Sequence, residues 1–257
     1  MKKRPYINII YIIILICIVC GGLYLLRREE GFQANSPFDL VVARYEEDIS
    51  WIKNIPEDMY SRLFMYNKGG NVKFDLPKSV TKSLPNYGRE SHTYITHVID
   101  NYDNLADITM FVPGSAWYRE DKKERVLRII EHLKHNKDSI IIGNKDNKII
   151  NSEHNFSIDT WVVTNEENRK KNPESVVKQA EDRPLGVWFN KRFPGESITC
   201  LTFTGILAAT RDDIKKRPVE FYKKLLDELS YSNPEVGHYC ERIWKNIFSI
   251  DDSKCIG

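Results

Sequence analysis

Apolar residues in the chain fall into short runs separated by amphipathic stretches. The runs are "DLVVA" (39–43), "RLFMY" (62–66), "DITMFV" (107–112), "SIIIG" (139–143), "DTWVV" (159–163), "ITCLTF" (198–203) and "GILAA" (205–209). Most are continuous rather than alternating, as in strands covered on both faces. Between the early runs Ile95, Val98, Ile99 and Tyr102 recur at i, i+3, i+4, i+7, and Val126, Ile129, Ile130 and Leu133 repeat that spacing, which predicts two helices. Strand then helix, several times over, predicts an α/β domain with a mainly parallel sheet flanked by helices. Residues 164–197 are rich in Asn, Lys, Glu, Pro and Gly and read as an irregular excursion over one face. Pro218 suits the first turn of a helix reaching about Tyr231, with Tyr222, Leu225, Leu226 and Leu229 on one face. A second helix from about Pro234 carries Val236, Cys240, Ile243, Trp244 and Ile247 at core spacing.

The N-terminus has a different pattern. Residues 7–26 read "INIIYIIILICIVCGGLYLL", without a charge and long enough to cross about 30 Å of hydrocarbon. An uncleaved anchor is the expectation; a cleaved signal peptide, whose apolar core is usually about 7–15 residues, is the alternative. Lys2, Lys3 and Arg4 precede the span, and the positive-inside bias then directs the globular part to a lumen or the exterior as a type II protein. The organisation expected is a basic tail (1–6), a transmembrane anchor (7–26), a stalk (27–37), one α/β domain (38–250) and a polar tail (251–257). With 38 basic and 36 acidic residues spread along the chain, the net charge of +2 lacks the basic stripe that nucleic-acid binding needs. Outside the span stand Cys200, Cys240 and Cys255, an odd number that permits at most one disulfide within a chain and has no metal-type spacing. Asn155-Phe156-Ser157 fits an N-glycosylation acceptor that matters only in a lumenal domain.

The candidate chemistry gathers in two stretches. In "NYGRESHTYITHVIDNY" the helical wheel puts His92 about 70° from the centre of the apolar stripe, while His97 falls roughly opposite and is expected to be solvated. Arg89 and His92 then stand at a helix start near the carboxyl ends of the strands, where ligands of open α/β sheets bind and unpaired N–H groups favour phosphate. The plainer alternative is a packing His92 with Arg89 paired to an acid. In "GHYCERIW" Glu241 lies on the border of the buried face and Arg242 points away from it. A border carboxylate opening on a cleft can act as a general base, because partial burial raises its pKa; a merely solvated charge is the alternative. Gly-rich phosphate loops, a nucleophile elbow and zinc-type His or Cys spacing are absent from the sequence.

Together "DLVVARYEEDISWIKNIP", "MYNKGG", "LPNYGRESHTYITHVIDNYDNLADITMFVPG", "GILAATRDDIKKRPVEFYKKLL" and "GHYCERIWKNIF" resemble the family called domain of unknown function 3431. That family is similar to GT-A-type glycosyltransferases, whose first strand also runs into an Ala-x-Tyr-Asn-Glu opening. The resemblance implies a Rossmann-like sheet and transfer of a sugar from a nucleotide-sugar donor to a hydroxyl of a glycan or glycoprotein acceptor at a membrane. It makes Glu241 the catalytic base, sets Tyr45 and Glu46 beside the nucleotide, and puts Arg89 and His92 near the diphosphate or donor sugar, with Lys68 and Glu90 completing the substrate-binding candidates. It also implies a divalent cation, Mn²⁺ or Mg²⁺, yet "FVPGSAWYRED" offers no Asp-x-Asp and no acid before Glu120 and Asp121. Glu46 stands where Asn is usual. No metal ligand is therefore assigned, and Lys68 and Arg89 are the cations available in its place. A non-catalytic module of the same fold that binds a glycan or a protein is the competing expectation.

Overall fold

A computed structural model of the chain describes residues 38–70, 76–161, 170 and 176–257. The tail, anchor and stalk expected over residues 1–37 lie outside them. Among the described residues no helix is long and apolar enough to cross a membrane.

The strands are β1 (Phe38–Arg44), β2 (Tyr60–Asn67), β3 (Ser79–Ser83), β4 (Ile108–Pro113), β5 (Ile140–Ile142), β6 (Leu207–Thr210) and β7 (Cys255–Ile256). They form one sheet in the order β3-β2-β1-β4-β6-β5-β7. The first four in that order are mutually parallel. β6 runs antiparallel to both β4 and β5, and β7 is parallel to β5, so the sheet is mixed but mostly parallel. Successive strands build outward from β1 to β2 and β3, and the chain then returns to place β4 on β1's other side. The strand order reverses between β1 and β4, which leaves a crevice beyond their carboxyl ends.

Helices cover both faces. They are α1 (Arg89–Asp100), α2 (Glu120–His135), α3 (Asn147–Glu153), α4 (Leu185–Arg192), α5 (Arg211–Lys215), α6 (Val219–Leu229), α7 (Glu235–Arg242) and α8 (Trp244–Ile247). The continuous apolar runs are explained by this layering: along β1, Val41 and Ala43 enter the core under α1, α6, α7 and α8, while Phe38, Leu40 and Val42 enter a second core under α2. Burying a side chain of this size contributes about 1.5–3 kcal/mol.

Among the described residues, two apolar runs do not form strands. Residues 198–203 contribute only an isolated bridge from Leu201 to Asn144, and Thr160 in the run 159–163 makes only a bridge to Val176. An apolar run registers burial, and Ile198, Cys200 and Leu201 are buried by packing rather than by a ladder. Conversely β3 had no apolar signal, because "SVTKS" is an exposed edge strand joined to β2 by its backbone. The stretch read as a polar tail, 251–257, carries β7, paired with β5. The last predicted helix is broken at Ile243 into α7 and α8.

Two links fasten the irregular segments. The Glu235 side chain, fully buried in the first turn of α7, accepts the amides of Ile158 and Ala180 at 2.9 Å and pairs with Arg183 at 2.8 Å. It thus ties Ile158, Ala180 and Arg183 to α7. Cys200 and Cys255 form a disulfide across a sequence separation of 55, leaving Cys240 as a buried thiol.

A loop of that length, if left open, adds denatured-state entropy equivalent to about 4 kcal/mol. Urea unfolding of the protein with and without dithiothreitol should show a loss of about 2–4 kcal/mol on reduction. A difference under about 0.5 kcal/mol would mean that β7 and the 199–205 segment hold without the bridge.

Candidate functional site

The crevice is built from four chain segments. Beyond β1, Tyr45 and Glu46 meet the turn after β2: Lys68 N–H donates to the Arg44 carbonyl at 2.8 Å, and Gly70 N–H to Glu46 Oε1 at 2.8 Å. Gly69 is obligatory there, since a Cβ would stand 1.7 Å from the Tyr45 carbonyl oxygen. Beyond β4, the 3₁₀ turn Gly114–Trp117 closes on the β1 loop, with Trp51 Nε1 donating to the Gly114 carbonyl at 3.0 Å and the Trp51 and Trp117 rings stacked at 4.8 Å.

The start of α1 is the third segment. Gly88 and Arg89 both have left-handed backbones, φ 55° and 53°. For arginine this conformation costs about 1–2 kcal/mol. The Gly88 N–H donates to the Tyr231 carbonyl at 2.9 Å, which ties the turn to the α6–α7 connection.

The fourth segment is the end of α7. Arg89 Nη1 donates to His238 Nδ1 at 3.1 Å and lies 3.8 Å from Glu241 Oε2, while Arg89 Nε lies 3.9 Å from Glu90 Oε2. The half-buried Trp161 ring lies 5.3 Å from the guanidinium. Because arginine only donates, His238 must be neutral with its proton on Nε2. Both carboxylates stand beyond hydrogen-bond range of Arg89. The guanidinium is therefore oriented by charge and keeps donors for an anion. Thr202 Oγ1 donates to the Glu241 carbonyl at 2.5 Å, and Lys122 of α2, bonded to Ser115 Oγ at 3.3 Å, adds positive charge to the surroundings of Glu241.

Burial sets the proton affinities here. It pushes the Glu241 carboxyl up, with Glu90 adding to the effect and Arg89, Arg242 and Lys122 opposing it. Burial also works against the Arg89 charge, but Glu90 and Glu241 outweigh it and hold that pKa above its usual value. The Lys68 ammonium, 9% exposed, is lowered by burial to about 7 against the pull of Glu90. His92 is lowered to about 4 by burial and then by Lys68, and His238 to about 3 by burial and then by Arg89 and Arg242.

The residues expected from sequence thus fall into two adjoining groups. Arg89, Glu90 and Glu241 converge, with His92 behind them in the first turn of α1 and Lys68 reaching that turn from the end of β2. Tyr45 and Glu46 lie at the next strand end, beside Gly69 and Gly70. His97 is a correction: it is 1% exposed rather than solvated, paired through Nδ1 with the Tyr66 hydroxyl at 3.0 Å and set against the rings of Phe64 and Phe111. A one-face wheel fails for α1, which packs on β1, α6 and α7 at once. Arg242 is likewise covered rather than solvated, with Glu153 at 2.5 Å and Phe156 3.4 Å from its guanidinium carbon. His238 was missed although it lies three residues before Glu241, a spacing that puts both on one face of a helix. Trp161 was read as part of a strand, and Lys122 carried no signal.

The segment after β4 supplies no Asp-x-Asp motif of its own, the Glu47 carboxylate beside Gly114 coming from the β1 loop, and among the described residues no group of three His, Cys, Asp or Glu side chains could hold a metal ion. These residues do not make the ligand set that the resemblance implies for a divalent cation.

His92, His97 and His238 bind fewer protons folded than unfolded, so their contribution to stability is complete above about pH 6.5 and is lost as the pH falls toward 3–4. At pH 5 each costs about 1–2 kcal/mol, and the raised Glu241 carboxyl offsets a part. Urea midpoints should fall between pH 7 and pH 5, and His97→Gln, which stays neutral and keeps an acceptor for Tyr66, should make that fall shallower. An unchanged pH dependence in this variant would show that His97 already carries a proton in the native state.

No curated protein and no solved structure matches the chain. The family model described as "Protein of unknown function (DUF3431)" matches residues 40–257, from within β1 through β7. The chain with this crevice belongs to the DUF3431 family.

Proposed function

We propose that the domain is a GT-A-like glycosyltransferase, anchored in a membrane by residues 7–26 with the domain on the lumenal or extracellular side. The observation that carries this reading is the Arg89 guanidinium, held 3.8 Å from a carboxyl of raised pKa at the crevice where the sheet's strand order reverses. An anion receiver beside a basic carboxylate is what sugar transfer from a nucleoside diphosphate requires. Glu241 takes the proton of the acceptor hydroxyl, whose oxygen forms a bond to the anomeric carbon. The bond from that carbon to the diphosphate oxygen breaks, and the leaving diphosphate carries its negative charge to Arg89, with Lys122 nearby. Tyr45 and Glu46 lie where the nucleoside portion extends along the strand ends.

The disulfide favours this location, because such bridges persist in oxidising compartments, and Asn155 of the acceptor triplet is exposed. The missing Asp-x-Asp favours a second reading, a module of the same fold that binds a glycan or a protein without turnover.

Thermal unfolding of the protein with nucleoside diphosphates and nucleotide sugars separates the two. A bound donor at a hundredfold excess over Kd raises stability by about 2.7 kcal/mol. Arg89→Ala should weaken binding and so reduce that shift. Glu241→Gln should keep it while lowering turnover by about 100-fold or more. No shift with any donor, in folded protein, would leave the binding module in possession.

A further inference from the structure

Lys68 was expected to meet a ligand, and two of the three donors of its ammonium are engaged within the protein. Its ammonium reaches across from the β2 turn to the start of α1, donating to the Tyr87 carbonyl at 2.5 Å and to the Arg89 carbonyl. These two carbonyls bracket the left-handed pair Gly88 and Arg89. Glycine adopts that backbone freely, whereas arginine needs support to remain in it. On the other flank Gly88 is fixed by its N–H bond to Tyr231 and by contact with Leu229, where a Cβ would come within 2.5 Å of the carbonyl oxygen.

We infer that Lys68 is a positioning residue that clamps the Tyr87–Arg89 turn and thereby aims the Arg89 guanidinium at Glu241, His238 and the incoming anion. The clamp is anchored at its base, because the Lys68 N–H is bonded to the Arg44 carbonyl and Gly69 sits on Tyr45. It therefore fastens the β1 and β2 ends to the first turn of α1, and α1 in turn meets α7. Charge-assisted bonds to two carbonyls are about twice as strong as neutral ones. The charged and titratable groups around the ammonium are Glu90 and His92 of α1, with Glu46 on the β1 loop bonded to Gly70. Only Glu90 among the described groups contributes an opposite charge to the balance that sets its proton affinity. Losing the lysine thus removes the turn's clamp while also removing a costly buried charge.

This gives a signature that an ordinary structural lysine lacks. Hydrogen exchange of the full chain without ligand should show residues 86–92 exchanging at least tenfold faster in Lys68→Met, with the midpoint of global unfolding lowered little or not at all. Lys68→Gln, which keeps an N–H donor, should fall between, and it serves if the methionine variant does not fold. The consequence for binding rests on the transferase reading: for UDP or GDP, Kd should rise about tenfold in Lys68→Met and no further when Arg89→Ala is added to it than in Arg89→Ala alone. Unchanged exchange at 86–92 would overturn the clamp whether or not a nucleotide binds. Additive losses in the double variant would also overturn it, by showing that Lys68 touches the ligand itself. If neither nucleotide binds the unaltered protein, the donor reading fails, and the exchange measurement alone decides for or against the clamp.

Discussion

The close approach at Gly88 is the constraint on which the candidate site depends. With φ 55° and no side chain, Gly88 lets the first turn of α1 lie directly on the Leu229 backbone at the end of α6. The next residues, Arg89 and Glu90, are then held against α7, which begins six residues after Leu229. Arg89 and His238, 149 positions apart in sequence, meet for this reason. Alanine at position 88 would put a Cβ 2.8 Å from that of His92 as well, so relief by a small rotation of the turn is blocked on both sides. The space left by one absent Cβ thus decides whether the two halves of the charge cluster face one another.

That cluster is arranged so that its charges remain useful. Arg89 between two carboxylates at 3.8 and 3.9 Å is stabilised as a cation without being fully bonded, and its one tight partner is a neutral imidazole. Shorter, bidentate pairing would have consumed the donors that an anion needs. Burial keeps His92 and His238 uncharged at neutral pH, so neither imidazole adds a positive charge that would compete with Arg89. The charge balance of the cluster therefore depends as much on groups denied a proton as on those that carry charge.

The sequence made the layers legible, because strands buried on both faces and helices with one apolar stripe leave strong periodic signals. β1, β2, β4, β5 and β6 and the helices α1, α2, α6 and α7 coincide with such signals. Elements without an apolar periodicity were hidden: β3 pairs through its backbone alone, and β7 joins the sheet beside a disulfide that cysteine spacing could not assign. Within the site, Arg89 and Glu241 were visible as residue types at helix borders. Their pairing was not, since it follows from the packing of α1 on α7. His97 shows the converse failure, a polar residue on the nominally outer side of a stripe that a second packing surface covers.

Glu241 contrasts with a structural carboxylate on its own helix. α7 carries acids at both ends. Glu235 sits in the first turn, where the helix dipole favours a negative charge, and its oxygens are taken up by two backbone amides and Arg183. Such a carboxylate is complete and has nothing left to accept. Glu241 is the penultimate residue, at the negative end of the same dipole, with its nearest cation at 3.8 Å and a second carboxylate close by. Burial, dipole and like charge all act to raise its affinity for a proton, while its oxygens stay short of full hydrogen bonding to Arg89. A fold that needed only an ion pair at this position would gain from the tighter geometry seen at Arg242 and Glu153, 2.5 Å apart one residue later. The looser one leaves the Glu241 carboxyl short of a direct hydrogen bond to Arg89, which is the geometry the proposed role as a base needs.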